Sequence, residues 1–167
     1  LDVGCGAGVI SYCIAYRCEG LKITGLEKNK DYYNLAMKSK KINKIKSKIN
    51  FINADFINVK NNQYDVIVSN PPWFKEKTTY MSSNNLINDS KVESLSVDTW
   101  INNVSKNLKN SGKYYTIFPY SRINELLKSL KKYFTNVNVY PISSFSNNPP
   151  DRAIVIAHNS TKALEFR

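Results

Sequence analysis

Three glycines in alternate positions, Gly4, Gly6 and Gly8, stand between the apolar opening Leu1-Asp2-Val3 and the helix-like run Val9-Ile-Ser-Tyr-Cys-Ile-Ala-Tyr16. A strand that passes through a glycine loop straight into a helix is the entry unit of a nucleotide-binding α/β sheet. The alternation then continues, with strand-like runs near residues 1–3, 21–27, 49–54, 64–69, 113–118, 136–142 and 153–158 and helical patterns over 8–18, 30–45, 94–109 and 121–134. After residue 134 the rhythm changes, because two strand-like runs follow one another with no helix between them. The pattern predicts an α/β fold: a Rossmann-like, doubly wound, seven-stranded and mostly parallel sheet that ends in an antiparallel closing hairpin.

The glycine spacing narrows the ligand. A dinucleotide fingerprint places its third glycine three residues after the second, whereas here Val9 fills that position and Gly8 comes one residue early. Alternating glycines let the backbone pass close to a ligand that lacks a pyrophosphate, such as the methionine half of S-adenosylmethionine. Gly4, Gly6 and Gly8 are the candidate residues for that half, and Asp2 is a further candidate for cofactor binding. The second strand-like run, Leu21-Lys-Ile-Thr-Gly-Leu26, delivers Glu27, where a carboxylate can hold both hydroxyls of a ribose. The third, Ile49-Asn-Phe-Ile-Asn-Ala54, delivers Asp55 and Phe56: Asp55 could accept from an adenine amino group and Phe56 could cover the ring. Either acid alone also reads as a solvated strand end or a helix cap. Their order, glycine loop then acid then acid, each behind a strand, matches the crevice at the carboxyl ends of a parallel sheet.

The fourth strand-like run, Tyr64-Asp-Val-Ile-Val-Ser69, leads into Asn70-Pro71-Pro72-Trp73. Two prolines fix φ near −65° and bias the residue before each toward extended backbone, so Asn70 and Pro71 are held rigid at a strand end. Such a site suits a planar amino nitrogen, whose lone pair is spread over a ring or a carboxamide and is therefore a poor nucleophile. If the Asn70 side-chain oxygen and the Pro71 carbonyl each accept one N–H, the nitrogen is drawn toward tetrahedral and its lone pair turns outward, ready for a methyl sulfonium. Orientation and fixed dipoles do the work. Trp73 offers a stacking face, worth about 1–3 kcal/mol for a base. The bland alternative is a turn after a strand. A second copy, Asn148-Pro149-Pro150-Asp151, has no aromatic and lies between the last two strand-like runs, and it reads as a connecting loop.

With these motifs in place, the chain resembles a class I S-adenosylmethionine-dependent methyltransferase of the amino-methylating Asn-Pro-Pro-aromatic group. Within that group it is most similar to the bacterial tRNA(Val) adenine-37 N6-methyltransferases. That likeness is carried by Glu93-Ser-Leu-Ser-Val-Asp-Thr-Trp-Ile101 and by the tail from Val139-Tyr-Pro141 through Asn148-Pro-Pro-Asp-Arg-Ala-Ile-Val-Ile156. The resemblance implies that Gly4, Gly6, Gly8, Glu27 and Asp55 bind the methyl donor and that Asn70, Pro71 and Trp73 hold the target. It implies an enzyme acting on the N6 nitrogen of an adenine in RNA, with tRNA the first candidate. A release-factor glutamine presents the same planar nitrogen and is the second reading; DNA adenine is the third. A non-catalytic fragment that binds cofactor or RNA is the alternative from a different class. Two departures stand out. Trp73 replaces the commoner tyrosine or phenylalanine, and only Leu1 to Val3 stand for a first strand of about five or six residues, which suggests a chain truncated at its start.

A length of 167 residues with 42% hydrophobic residues suits one domain over residues 1–167. No apolar run approaches the roughly 18 residues of a membrane span, and a cytoplasmic location is expected. Cys5, Cys13 and Cys18 lack metal-ligand spacing, so no metal is expected, and His158, the single histidine, reads as structural. The net charge of +11 points to RNA, although lysines 38, 40, 41, 44, 46 and 48 can equally be a solvated helix end. Lys75, Lys77 and Arg152 are better placed, near expected strand ends. Residues 74–92, rich in Asn, Ser, Lys and Thr, read as a mobile loop or substrate lid.

Overall fold

The computed structural model describes residues 1–43, 48–60, 63–71 and 96–159. Its elements are β1 (Asp2–Val3), α1 (Val9–Arg17), β2 (Lys22–Glu27), α2 (Lys30–Ile42), β3 (Lys48–Asn53), β4 (Tyr64–Ser69), α3 (Val97–Asn107), β5 (Leu108–Pro119), α4 (Ile123–Leu130), β6 (Asn136–Ile142) and β7 (Arg152–His158), with 3-10 turns at Phe56–Asn58 and Tyr120–Arg122. The strands form one seven-stranded sheet in the order β3-β2-β1-β4-β5-β7-β6. Strands β1 to β5 pair in parallel, and β7 runs antiparallel to both β5 and β6, so it alone is reversed. The expected mostly parallel sheet with a closing hairpin is present.

Local chemistry sets the boundaries. The Asn29 side chain caps α2 by accepting from the Asp31 and Tyr32 amides at 2.9 and 3.2 Å, and the Ser96 hydroxyl caps α3 by accepting from the Thr99 amide at 3.1 Å. α3 ends at Asn107, two residues short of the helical pattern, and β5 begins at once with Leu108, five residues ahead of the expected strand. Gly112 permits this early turn: a Cβ there would lie 2.7 Å from the Leu108 side chain, so only glycine leaves Leu108 room to tuck inward. The register between β4 and β5 shifts between Tyr64 and Val66, which absorbs the extra residues. The pattern over 121–134 is split into a 3-10 turn and the shorter helix α4.

The core has two parts, one on each face of the sheet. On one face α3 and α4 pack Val97, Ile101, Val104, Leu126 and Leu130 against Val3, Leu26, Ile67, Tyr114 and Phe118. On the other, α1 and α2 bring Ala15, Ala36 and their neighbours onto Ile23, Ile49 and Phe51. Burial on both faces is what makes the sheet doubly wound. That second face is less complete over the later strands, where Val66 of β4 and Ile154 of β7 stay 43% and 37% exposed.

The Asn148-Pro149-Pro150-Asp151 copy forms the connection between β6 and β7, closed by the Asp151 amide donating to the Ile142 carbonyl at 3.0 Å. His158 is buried in β7.

Candidate active site

The sheet order brings the distant candidates together. Strand β1 sits between β2 and β4, and Val3 is in register with both Leu26 and Ser69, so the glycine loop, Glu27 and Asn70 all leave the same rim from adjacent strands. Glu27 pairs in turn with Asn53 of β3, which places Asp55 next along that rim. From Asp55 to Asn70 the rim crosses three strand spacings, about 14 Å. The chain winds outward from β1 to β3 and then returns to β4 beside β1, so the crevice between β1 and β4 is the topological switch point of the sheet.

The glycine loop is held open. Gly4, Gly6 and Gly8 have φ of 68°, 55° and 88°, a region other residues rarely adopt. A Cβ on Gly4 or Gly6 would meet nothing within 4 Å, so the loop leaves an open cradle on its outer side. Gly8 differs, because a Cβ there would lie 2.8 Å from the Phe51 ring and 2.9 Å from the Tyr12 ring. Gly4 and Gly6 thus face free space, while Gly8 is a packing residue that also begins α1.

Two carboxylates brace the loop from opposite sides. Glu27 accepts from the Gly6 amide and the Asn29 amide, both at 2.8 Å, one on each oxygen, and each oxygen retains a lone pair for further donors. Asp2 supplies the cap that Gly8 lacks: one of its oxygens accepts from the Ser11 amide at 3.0 Å and the Ser11 hydroxyl at 2.7 Å. Its other oxygen is buried with no hydrogen-bond partner among the described residues. Burial pushes the Asp2 carboxyl above its ordinary range, against the two Ser11 bonds that pull it down. A buried carboxylate oxygen lacking a donor, beside an open glycine cradle, fits the cationic and hydrogen-bonding methionine end of S-adenosylmethionine. Cys5, between the two acids, has its thiol pushed up to about 12 by burial and by their charge.

Asp55 caps the 3-10 turn, accepting from the Ile57 amide at 3.2 Å, and remains partly exposed at the rim. Phe56 points the other way: its ring is 4% exposed and packs on Trp100 with centroids 5.2 Å apart, so it anchors the turn in the core. At the target end Asn70 is exposed and Pro71 buried. Pro72, Trp73, Lys75, Lys77 and the 74–92 segment lie outside the described residues. Arg152 begins β7 opposite Pro119, at the carboxyl end of β5, and so lies on the same rim.

Beneath Asn70 lies a polar cluster that the sequence did not reveal. The Ser69 hydroxyl is 2.8 Å from the Tyr114 hydroxyl and donates to the Thr116 hydroxyl at 3.2 Å, while the Trp100 indole N–H donates to Tyr114 at 3.2 Å. Among the described residues no group of three histidines, cysteines or acids could hold a metal, and no helix is long and apolar enough to cross a membrane.

Solved structures place this sheet in the class I methyltransferase fold. A predicted O-methyltransferase from Agrobacterium tumefaciens superposes with a TM-score of 0.73 at 18% identity, covering 93% of this chain and 71% of that one. The chain belongs to the methyltransferase small domain family, whose model matches residues 1–142. Among curated proteins, the release factor glutamine methyltransferase of Fusobacterium nucleatum is 37% identical over 78 residues, 46% of this chain and 22% of that protein. The tRNA1(Val) (adenine(37)-N6)-methyltransferase of Mannheimia succiniciproducens is 28% identical over 127 residues, 72% of this chain and 51% of that protein. The matches therefore span about a fifth to a half of those relatives' lengths.

Proposed function

We propose that this chain is the catalytic domain of an S-adenosylmethionine-dependent N-methyltransferase that modifies the exocyclic amino nitrogen of an adenine in RNA, with tRNA the first substrate to test. The observation that carries the reading is the convergence of the open glycine cradle and Asn70 at the β1–β4 switch point, on adjacent strands of one rim. When bound, S-adenosylmethionine supplies an electrophilic methyl group on a sulfonium, transferable to a nitrogen lone pair as the sulfur leaves as a neutral thioether.

The residues of the chain divide the remaining tasks. Asp2 and the Gly4–Gly6 backbone receive the methionine end, Glu27 the ribose hydroxyls through its free lone pairs, and Asp55 the adenine amino group, with Phe56 bracing the turn from below. Asn70 and the Pro71 carbonyl accept the two N–H bonds of the target amino group and turn its lone pair toward the methyl carbon. Trp73 stacks on the target base. The proton leaves the nitrogen after transfer, so no strong base is needed at the site.

The release factor relatives favour a second reading, in which the planar nitrogen is a glutamine carboxamide. Both substrates pose the same lone-pair problem. Incubation with labelled S-adenosylmethionine and unmodified tRNA, rRNA, DNA or release factor, followed by nucleoside and peptide digestion, separates them. N6-methyladenosine in RNA supports the proposal; label in a glutamine replaces it with the second reading. S-adenosylhomocysteine binding by calorimetry tests the non-catalytic alternative, because binding without transfer to any of these substrates would favour it.

A further inference from the structure

Among the described residues, the connection from β3 to β4 contains a single 3-10 turn, where a parallel crossover ordinarily carries a helix. Among the described residues, one flank of α3 is therefore left without a helical neighbour. A groove of about 420 Å³ occupies that space, lined by Ile57 and Lys60 of the connection and by Thr99, Asn102, Asn103 and Lys106 of α3. None of these six side chains is acidic.

Three surface cations elsewhere on the chain form ion pairs. Lys109 pairs with Asp65 at 2.7 Å, Lys132 with Asp98 at 2.6 Å and Arg122 with Glu125 at 2.9 Å. Lys60 and Lys106 form no such pair among the described residues, and both are exposed along the one groove. The same groove is lined by two amides, of Asn102 and Asn103, and by the Thr99 hydroxyl, which also bonds the Ser96 hydroxyl at 2.8 Å. The Asn103 amide donates to the Phe56 carbonyl at 2.5 Å, which ties the groove wall to the turn that carries Asp55. Two unpaired ammonium groups with neutral donors in the same groove match a string of anionic oxygens better than a single carboxylate.

The groove also leads away from the site. Ile57 is two residues beyond Asp55, and Thr99 is in the first turn of α3. From Thr99 to Lys106 the helix rises about 10 Å, enough for two or three phosphates of a nucleic-acid strand spaced about 3.4 Å or more along the axis.

We infer that this groove binds the phosphodiester backbone of the RNA whose base enters the crevice, with Lys60 and Lys106 each neutralising one phosphate. The inference rests on the RNA reading above and adds to it a backbone site outside the crevice. Such contacts hold and orient the strand without reading its sequence.

The test is binding of an unmodified tRNA transcript over a range of salt concentrations. The double variant Lys60→Ala, Lys106→Ala is compared with Lys22→Ala, Lys48→Ala, which removes the same charge from the paired amino ends of β2 and β3, outside the groove. The slope of log affinity against log salt should become shallower by about 1.4–1.8 in the groove variant, the value for two lost phosphate contacts, and stay unchanged in the control. Lys60→Gln and Lys106→Gln alone should each give about half that change. Equal change in both doubles would make the effect one of net charge and overturn the groove. No change in the groove double, while the unaltered chain binds RNA, would overturn the groove and leave the RNA reading standing. Failure of the unaltered chain to bind RNA would remove both.

Discussion

The Ser69 hydroxyl lies 2.8 Å from the Tyr114 hydroxyl, directly behind the strand end that presents Asn70. Tyr114 is fully buried and also accepts from the Trp100 indole N–H, so its hydroxyl joins β4, β5 and α3 at one point. Burial pushes that phenol up, which keeps it a neutral donor and acceptor. Tyr114→Phe should lower unfolding free energy by about 1–3 kcal/mol, because it leaves buried partners unsatisfied. Ser69→Ala should cost about 1 kcal/mol, since Tyr114 keeps its bond to Trp100. Urea denaturation of both variants measures this, and equal midpoints with the unaltered chain would show the cluster to be idle.

The glycines of the loop should separate by function. Gly8→Ala forces a Cβ against Phe51 and Tyr12 at 2.8 and 2.9 Å, at a φ of 88°. It should destabilise the fold by about 1–3 kcal/mol through crowding, with a further strain of about 1–2 kcal/mol from the left-handed backbone. Gly6→Ala meets no atom within 4 Å and bears the backbone strain alone, but its methyl would protrude into the cradle. Its larger effect should be on S-adenosylhomocysteine affinity. Thermal melts and calorimetry on the two variants give the comparison; a Gly6→Ala protein with unaltered affinity would take that residue out of the ligand site.

Thiol chemistry offers a direct check on the loop's burial. Cys5 is buried with its thiol pushed up to about 12, while Cys13 and Cys18 are exposed on and just after α1. At pH 8 only about one Cys5 in ten thousand would be thiolate, the reactive form. Iodoacetamide should therefore label Cys13 and Cys18 in the folded chain and reach Cys5 only after denaturation. Peptide mass mapping reads the outcome, and early Cys5 labelling would mean the loop opens far more than its packing allows.

Much of this arrangement was legible in the sequence because it depends on local order. Strand runs, the glycine loop, Glu27, Asp55 and Asn70 are each written within a few residues, and a parallel α/β sheet converts that order into one rim. Boundaries were less legible. The passage from α3 directly into β5 depends on Leu108 fitting against Gly112, a contact no periodicity announces. The same holds for Phe56, whose neighbour Trp100 comes 44 residues later and turns a candidate ring cover into a core anchor. The Ser69–Tyr114–Trp100 cluster and the Lys60–Lys106 groove join residues far apart in sequence, and neither residue type nor spacing carries a signal for them.

Asn70 is where substrate chemistry and cofactor binding should come apart most cleanly. The Asp2, Gly6 and Glu27 contacts that shape the cradle are made on β1 and β2 and do not involve Asn70. Its own side chain is exposed at the end of β4, one residue beyond the buried Ser69. In the proposed role, Asn70→Ala removes the carbonyl dipole that orients the target nitrogen and leaves the strand end anchored, so turnover should fall by about 100-fold to 1,000-fold, as for loss of a preorganised polar contact in other active sites. S-adenosylhomocysteine affinity should stay within about twofold, a difference under 0.5 kcal/mol. Asn70→Gln keeps the amide but displaces it by one methylene, and a misplacement of about 1 Å can itself cost about 100-fold. If Asn70 oriented the amino group only through bulk, Gln would restore activity that Ala loses. If it acts through the position of its carbonyl, both variants should be slow with intact cofactor binding. Parallel loss of turnover and affinity in Asn70→Ala would instead assign the residue to the cofactor side and leave the target nitrogen to another group.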